Sequence, residues 1–357
     1  MSVSVKHMVC DALYTDLKAM ISENTFPGIT KQSFLITGGN GFIASYLVYA
    51  LLCLNDEEKR DNHITILVRS EEKARQKYGA LLNRADIDLI VQDVCDPIDA
   101  SAYDFDYIIH AASSANAQHF DADPIGVFNS NVVGTERMID YLRCGKTKSM
   151  VYISSFTVYG NTANSGESIS EDYRGIDDWS DNRSCYSLGK RASEFLCMAA
   201  QRKYQCPIRI VRPGFVYGAS TPDDMRVYAE IIRKVAEHNP ITLRSAGLVF
   251  RSMIYVTDVV RGIFCTLFSG TDGEAYNIAN EFVSIRAFAE AAATAAASDK
   301  VQLHFSDPQD EKAVVKDRPN GAMATEKLRA CGWTPAVSLT NGIAMAAKIY
   351  RTSYLAE

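Results

Sequence analysis

The chain has 357 residues and a net charge of −6, with 47% hydrophobic and 22% charged residues. This composition is ordinary for a globular protein, and the length allows two domains or one large α/β unit with a smaller lobe. The acidic balance and the lack of a long basic run argue against nucleic acid as a partner. The 9 cysteines and 6 histidines form neither a CxxC pair nor an HExxH arrangement, so no metal site is predicted.

Two features bear on location. The N-terminal region lacks the charged and apolar blocks of a signal peptide. The longest apolar run, "YLVYALLCL", is far shorter than the roughly 20 residues that cross a bilayer. We therefore expect a cytoplasmic protein with reduced thiols and no membrane partner.

Apolar segments of strand and helix length alternate along most of the chain. A helical extension is predicted over residues 1–30. Six strands are then predicted at "SFLIT", "HITILVR", "IDLIVQD", residues 103–113, "SMVYISS" and "PIRIVRPG", with intervening helices at residues 42–54, 124–144 and Ser184–Tyr204. Continuous apolar strands separated by helices indicate a parallel sheet covered on both faces, which is an α/β, Rossmann-like doubly wound fold.

After Arg212 the alternation weakens, and a smaller mixed α/β lobe with an Ala-rich helix near residues 286–298 is predicted. The predicted dinucleotide-binding domain spans residues 31–212, with residues 253–282 returning to it. Residues 213–252 and 283–357 are assigned to a substrate-binding lobe.

A glycine turn, "TGGNGFIAS", follows the first strand. Gly38, Gly41 and Ala44 leave room for backbone N–H groups to approach a pyrophosphate, and the following helix would direct its positive end at the phosphates. We therefore predict a dinucleotide site that also includes the other turn residues Asn40, Phe42 and Ile43.

The end of the second strand bears on the choice between NAD and NADP. An acidic side chain there would favour NAD, but the sequence has Arg69 and Ser70, with Lys73 a turn later. Arg69 would suit a 2′-phosphate and so favours NADP, or it is a solvated side chain at a strand end. The sequence is therefore compatible with NADP binding by Arg69 and with a solvated arginine at this position.

Other cofactor contacts are predicted where the next two strands end. Asp93 and Val94 follow the third strand, where a carboxylate would meet the adenine amino group. Ala111, Ala112 and Ser113 in "HAAS" follow the fourth strand and offer small side chains beside the cofactor.

The candidate catalytic residues lie in "YSLGK" and "VYISS". Tyr186 and Lys190 are four residues apart in a predicted helix, so they share one face. A free phenol has a pKa near 10, and a nearby ammonium would favour phenolate and make Tyr186 a better base. Ser155, at the carboxyl end of a strand, is placed to bond the reacting hydroxyl.

The order of these motifs resembles a known family. The stretches "LITGGNGFIASYLV", "HAAS", "NVVGT", "YISSFTVYG", "CYSLGK", "RPGFVYG", "RSMIYVTDVV", "EAYNIAN" and "LRACGWTP" are similar to those of extended short-chain dehydrogenases/reductases of the NAD-dependent epimerase/dehydratase family, which act on nucleotide sugars. "NRSCYSLGKRASE" most resembles UDP-glucuronate decarboxylases and 4,6-dehydratases.

The resemblance implies roles for individual residues. It makes Tyr186 the base, Lys190 its activator and Ser155 the hydroxyl partner. It also implies that Asn131 supports the active-site side of the neighbouring helix and that Arg251 contacts the nucleotide diphosphate, with Arg226 and Arg318 as weaker candidates that could instead be surface residues. The remaining predicted contacts are Pro213 and Val216 for the cofactor and Ser114 and Ser155 for the substrate. A homodimer through the helices at residues 124–144 and Ser184–Tyr204 is implied too, and polysaccharide precursor synthesis is the family's usual setting.

The chain departs from the family pattern at two positions that bear on the reaction and at one that bears on substrate binding. Similar dehydratases carry an Asp-Glu pair directly after the serine or threonine, and similar decarboxylases carry a glutamate, where this chain has Phe156 and Thr157. Phe215 stands where many relatives have an asparagine that contacts the substrate diphosphate. Because a C4 epimerase needs no second acid/base pair, epimerisation is favoured. NADPH-dependent 4-ketoreduction comes second, dehydration or decarboxylation third, and a non-catalytic cofactor-binding protein is the last alternative.

Overall fold

The computed structural model describes residues 3–22, 29–115, 117–160, 168–175, 177–296, 301–306 and 321–355. The strands are β1 Ser33–Thr37, β2 His63–Val68, β3 Ile87–Val91, β4 Tyr107–His110, β5 Ser149–Ile153, β6 Ile208–Pro213, β7 Phe215–Tyr217, β8 Ile241–Leu243, β9 Phe250–Tyr255, β10 Ala275–Ile278, β11 Glu281–Ser284 and β12 Leu303–Phe305. The helices are α1 Val5–Met8, α2 Asp11–Ser22, α3 Phe42–Glu58, α4 Glu71–Tyr78, α5 Ala117–Ala122, α6 Pro124–Leu142, α7 Ser184–Tyr204, α8 Val227–Ala236, α9 Val256–Ser269, α10 Ile285–Ala295, α11 Glu326–Ala330 and α12 Leu339–Tyr354, with 3₁₀ turns at Gly79–Asn83 and Phe156–Tyr159.

Seven strands form the central sheet in the order β10-β6-β5-β4-β1-β2-β3. All neighbouring strands in this sheet are parallel. One face of β1 packs Phe34 and Ile36 into the larger core cluster, while Leu35 faces the second cluster on the other side. The predicted Rossmann-like, doubly wound sheet is confirmed.

The strand order reverses between β1 and β4, which pair directly with each other. In doubly wound sheets the connections on the two sides of such a point diverge and leave a crevice outside the carboxyl ends of the strands. The glycine turn after β1 and the "HAAS" segment after β4 both open onto this crevice.

Several predicted boundaries shift. The helix predicted at residues 42–54 continues to Glu58 and ends at Lys59, whose φ is 54°. The fourth strand is only Tyr107–His110, and the N-terminal helix is divided into α1 and α2. The seventh strand, β10, was not predicted as a strand because its four buried residues carry no periodic pattern of their own.

The smaller sheets lie in the second half of the chain. Strands β11, β9 and β7 form one, with β9 antiparallel to β11 and parallel to β7, and β12 pairs with β8. Helices α8, α10 and α12 pack against one another, whereas α9 packs on β5 and β6 of the central sheet.

Helix α2 packs on α3, α9 and α12. Its Asp16 is buried and accepts a 2.8 Å hydrogen bond from the Tyr255 hydroxyl at the end of β9. The extension is therefore part of the packed structure. No helix in the described ranges combines the length and apolar character needed to cross a membrane.

Candidate active site

The glycine turn depends on a close approach of two backbone segments. Gly38 has φ +68°, and a Cβ there would lie 2.7 Å from the Cα of Ala112. Its N–H donates to Leu67 O at 2.8 Å. The close approach of the "HAAS" turn therefore requires glycine at this position.

The start of α3 offers donors to a ligand. Gly41 precedes the helix and makes no side-chain cap, so the first N–H groups of Phe42 and Ile43 have no side-chain acceptor there. Asn40 Nδ2 donates to Ser70 O at 3.1 Å, while its Oδ1 is buried without a hydrogen-bond partner among the described residues. A buried acceptor with no donor, beside an uncapped helix terminus, fits the phosphates and hydroxyls of a dinucleotide.

The end of β2, where the choice between NAD and NADP was predicted to be made, carries an exposed arginine. Arg69 follows β2 and is exposed, while the Ser70 hydroxyl accepts from Lys73 N–H at 3.2 Å and caps α4. After β3, Asp93 Oδ1 accepts from Cys95 N–H at 2.9 Å. Val94 is buried against α6, where a Cβ on Gly134 would approach its Cγ1 to 2.9 Å.

A buried threonine holds the "HAAS" turn in place. Thr37 Oγ1 accepts from Ala111 N–H at 3.1 Å and from Ala112 N–H at 3.0 Å, and it bonds His110 Nδ1 at 2.8 Å. His110 Nε2 lies 3.2 Å from the hydroxyl of Thr135. Burial lowers the pKa of His110 to about 3, so the imidazole is neutral and acts in this network as a hydrogen-bonding group. This role of Thr37 was not predicted from the sequence.

Asn131 joins the turn to the catalytic helix. Its Oδ1 accepts from the Ser113 hydroxyl at 2.8 Å, and its Nδ2 donates to Val127 O at 2.8 Å. The side chain is fully buried, and a Cβ on Gly189 of α7 would lie 3.3 Å from the Cβ of Asn131. Asn131 thus packs beside α7 and bonds the turn after β4, and its support of the active-site side of α7 stays a prediction.

Ser155, Tyr186 and Lys190 lie together at the carboxyl end of β5. Ser155 is buried, and its hydroxyl accepts from Thr157 N–H at 3.2 Å. Ser155 also lies close enough to Tyr186 to oppose the rise in the pKa of that tyrosine. Lys190 is 2% exposed, and its Nζ donates to Ile153 O at 2.7 Å. The same Nζ is 5.8 Å from the centroid of the Tyr186 ring.

The pKa of the phenol differs from the sequence-based prediction. Burial raises the pKa of Tyr186, and the opposing effects of Ser155 and Arg226 are smaller. Burial likewise lowers the pKa of Lys190 to about 7, against an opposing effect of Glu194. The predicted lowering of the Tyr186 pKa by Lys190 is therefore not found in the protein alone, because desolvation disfavours both charged forms.

Two aromatic neighbours of Tyr186 were missed. Phe120 in α5 stacks on the phenol with ring centroids 5.3 Å apart and an interplanar angle of 21°. Tyr228 in α8 is close enough to raise the Tyr186 pKa. Neither residue lies in a motif, so only the packing of α5 and α8 reveals them.

The predicted substrate arginines occupy different surroundings. Arg226 pairs with Asp224 at 2.5 Å, and its guanidinium carbon is 5.0 Å from the ring centroid of Tyr228. The guanidinium carbon of Arg251 is 5.0 Å from the centroid of Phe215. Arg318 falls outside the described residues. The Ser114 hydroxyl, also predicted to meet substrate, bonds His119 Nδ1 at 2.5 Å.

The two phenylalanines that depart from the family pattern are in contact. The ring centroids of Phe156 and Phe215 are 4.2 Å apart, with an interplanar angle of 34°. Both line a small pocket, which is completed by Tyr159, Ile169, Ser252, Gly321 and Met323. The predicted cofactor residues Pro213 and Val216 are buried on either side of Phe215, at the end of β6 and in β7.

Within the ranges that the structure describes, no group of three or more His, Cys, Asp or Glu side chains is arranged to hold a metal.

Comparison with known proteins places the chain among nucleotide-sugar enzymes. It is 28% identical over 320 residues to UDP-glucuronic acid decarboxylase 4 of Arabidopsis thaliana, covering 89% of this chain and 68% of the relative. It is 25% identical over 348 residues to dTDP-D-glucose 4,6-dehydratase of Homo sapiens, covering 92% of each.

A solved structure shares the fold. A mutant UDP-glucuronic acid 4-epimerase of Bacillus cereus, in complex with UDP-4-deoxy-4-fluoro-glucuronic acid and NAD, superposes with a TM-score of 0.74 at 22% identity. The match covers 90% of this chain and 100% of that one. The sequence profile described as the NAD dependent epimerase/dehydratase family matches residues 34–279. The family membership that the motifs predicted is confirmed: this chain belongs to the NAD-dependent epimerase/dehydratase family.

Proposed function

We propose that the protein is a nucleotide-sugar C4 epimerase. One observation carries the proposal: Ser155, Tyr186 and Lys190 lie together at the carboxyl end of β5, while the two residues after Ser155 are Phe156 and Thr157. The relatives named above are a decarboxylase, a dehydratase and an epimerase, so the class of substrate is supported by all three. The absence of carboxylates at positions 156 and 157 favours epimerisation over dehydration and decarboxylation.

The cofactor site is assigned to the crevice beside the glycine turn. Gly38, Asn40, Gly41, Phe42 and Ile43 would hold the phosphates. The rest of the assigned contacts come from Arg69, Asp93, Val94, Ala111, Ala112, Ser113, Asn131, Tyr186, Lys190, Pro213 and Val216. When bound there, NAD supplies a hydride acceptor and returns the same hydride, so that no external reductant is consumed.

The protein's own groups handle the proton. The Ser155 hydroxyl orients the C4 hydroxyl of the sugar toward Tyr186. As the C4–H bond breaks, the Tyr186 phenolate takes the hydroxyl proton and C4 becomes a ketone; the reverse transfer rebuilds the alcohol after the sugar has turned over. Lys190 is placed to stabilise the phenolate when protonated. Neither Phe156 nor Thr157 can act as a carboxylic acid at C5 and C6, which is why dehydration and decarboxylation rank lower.

An NADPH-dependent 4-ketoreductase is the second candidate. It would use the same serine, tyrosine and lysine, and the exposed Arg69 at the end of β2 favours it because a guanidinium can pair with a 2′-phosphate. We further propose a cytoplasmic homodimer that pairs through α6 and α7, where Ile125 is 73% and Phe195 is 65% exposed. Its setting would be the synthesis of polysaccharide precursors.

The domain assignment is proposed on the same basis. Residues 31–212 with 253–282 would bind the cofactor. Residues 213–252 with 283–357 would bind the sugar nucleotide through Arg226, Arg251 and Arg318, and Ser114 of the cofactor domain would add a substrate contact. The packing of α9 on β5 and β6 and the pairing of β10 with β6 support the return of residues 253–282.

The test starts with the purified protein. Denaturation followed by chromatography identifies any dinucleotide that it releases. Incubation with UDP- and dTDP-sugars, analysed by NMR, then detects inversion at C4. Tightly held NAD and C4 inversion that is lost in Tyr186→Phe are expected. Turnover that requires added NADPH would favour the reductase, and activity retained in Tyr186→Phe would reject this phenol as the base.

A further inference from the structure

An aromatic pair, Phe156 and Phe215, lies beside the catalytic hydroxyls. Phe156 directly follows Ser155, which lies beside Tyr186 at the carboxyl end of β5. The two rings are 4.2 Å apart. Phe215 also meets Tyr228 edge to face, with ring centroids 6.2 Å apart, and Tyr228 is close enough to Tyr186 to raise its pKa. The pair therefore occupies one flank of the site at which a sugar hydroxyl would react.

Two arginines and a threonine lie around the aromatic pair. The Arg251 guanidinium lies against Phe215 at 5.0 Å, and Arg226 is paired with Asp224 at 2.5 Å. In the turn itself, Thr157 Oγ1 is buried with no hydrogen-bond partner among the described residues. The turn after Ser155 thus presents an apolar ring and a neutral hydroxyl.

This surface suits one kind of sugar edge. A methyl group, or a ring carbon with no substituent, gives up no hydrogen bonds when it contacts phenyl rings, and its removal from water is favourable in free energy. A carboxylate at the same place would lose hydration against apolar carbon. When the C4 hydroxyl of a sugar binds to Ser155 and Tyr186, its C5 carbon lies one or two bonds from the bound hydroxyl. The C5 substituent would then contact the aromatic pair.

We propose that the aromatic pair makes the enzyme selective for nucleotide sugars whose C5 side is apolar. The substrates would be nucleotide-linked 6-deoxyhexoses or pentoses, and uronic acids would be excluded. This inference rests on the proposed function, because it assumes that the C4 hydroxyl binds between Ser155 and Tyr186.

Binding tests the selectivity without relying on turnover. Titration calorimetry with the NAD-loaded Tyr186→Phe protein compares sugars that carry the same nucleotide: UDP-xylose, UDP-glucose and UDP-glucuronate, and dTDP-6-deoxyglucose beside dTDP-glucose. We expect UDP-xylose to bind at least about tenfold more tightly than UDP-glucuronate, and the 6-deoxy sugar more tightly than its parent, as for an apolar group in an apolar pocket.

Two substitutions at one position separate polarity from ring shape. In the Tyr186→Phe background, Phe156→Leu should retain the preference and Phe156→Asn should reduce it about tenfold. The matched control is Tyr103→Leu. Tyr103 stacks on Phe105 at 5.8 Å and precedes β4, at the amino end of the sheet and opposite to the site, so the preference should not change.

The outcomes distinguish this inference from the proposed function. The inference would be overturned if UDP-glucuronate bound as tightly as UDP-xylose or more tightly. It would also be overturned if Phe156→Asn, in a protein with normal circular dichroism, left the preference unchanged. In either case, C4 inversion by the unmodified protein would still support the proposed function. Absence of C4 inversion with every sugar, despite selective binding, would instead reject the epimerase. If Phe156→Asn does not fold, Phe215→Asn provides the same comparison from the other ring.

Discussion

Replacing Gly38 by alanine should damage both the fold and the cofactor site. Two effects add at this position. An alanine at φ +68° pays the left-handed penalty of about 1–2 kcal/mol. Its Cβ would also lie 2.7 Å from the Cα of Ala112, a backbone atom that cannot rotate away, and such overpacking costs about 1–3 kcal/mol. The expected loss of unfolding free energy is therefore about 2–5 kcal/mol.

Gly145→Ala is the matched control. Gly145 has φ +83°, yet a Cβ there would meet nothing within 4 Å. It shares the backbone penalty of about 1–2 kcal/mol and the small entropic gain from restricting the unfolded chain, so the difference between the two variants isolates the close approach. Gly145 follows α6 and lies at the amino end of the sheet, away from the crevice.

Both variants can be measured in the same way. Guanidinium chloride unfolding, followed by far-UV circular dichroism, gives the stability loss, and calorimetry gives the affinity for NAD. Gly38→Ala should lose at least about 1 kcal/mol more than Gly145→Ala and should bind NAD at least about tenfold more weakly, because the turn must move away from Ala112. Equal stability losses with unchanged NAD affinity in both variants would refute the packing argument.

Four further outcomes are expected. Burial raises the pKa of Asp16 to about 6, so the ionised carboxylate destabilises the folded protein above that pH, and this destabilisation disappears below about pH 4. Asp16→Asn keeps an acceptor for the Tyr255 hydroxyl. In urea titrations it should therefore stabilise the protein by about 1–3 kcal/mol at pH 7.5 and by little at pH 4. Burial lowers the pKa of Lys190 to about 7, so the charged ammonium destabilises the folded protein below that pH, and this destabilisation fades as the pH rises toward 10. Lys190→Met should therefore abolish turnover and increase the unfolding free energy more at pH 6 than at pH 9. An increase in unfolding free energy that does not depend on pH would contradict this argument. Arg69→Ala should weaken NADP at least about tenfold and leave NAD unchanged in fluorescence titrations; an unaltered ratio would identify Arg69 as a solvated side chain. Phe195→Asp should convert the proposed dimer into a monomer by light scattering, with a normal circular dichroism spectrum.

The parts of the site that follow local rules could be predicted. Tyr186 and Lys190 share a helix face because they are four residues apart, and α7 has the predicted bounds Ser184–Tyr204. The glycine turn follows an apolar strand and begins a helix, and both elements form where expected. Hydrophobic runs and short-range spacing sufficed for these features, since they depend on residues that are near one another in the chain.

The environment of those residues was decided by tertiary packing. Phe156 and Phe215 are separated by 59 positions, as their numbers show, and come into contact only because β5 and β6 are neighbours in the sheet. The pKa of Tyr186 depends on burial beneath elements such as α5 and α8, and in the protein alone this burial acts against the lowering expected from the helical spacing of Tyr186 and Lys190. Local sequence determined which catalytic groups are present and how they are spaced; the packed structure determined their solvation, because desolvation arises from every chain segment that excludes water from the site.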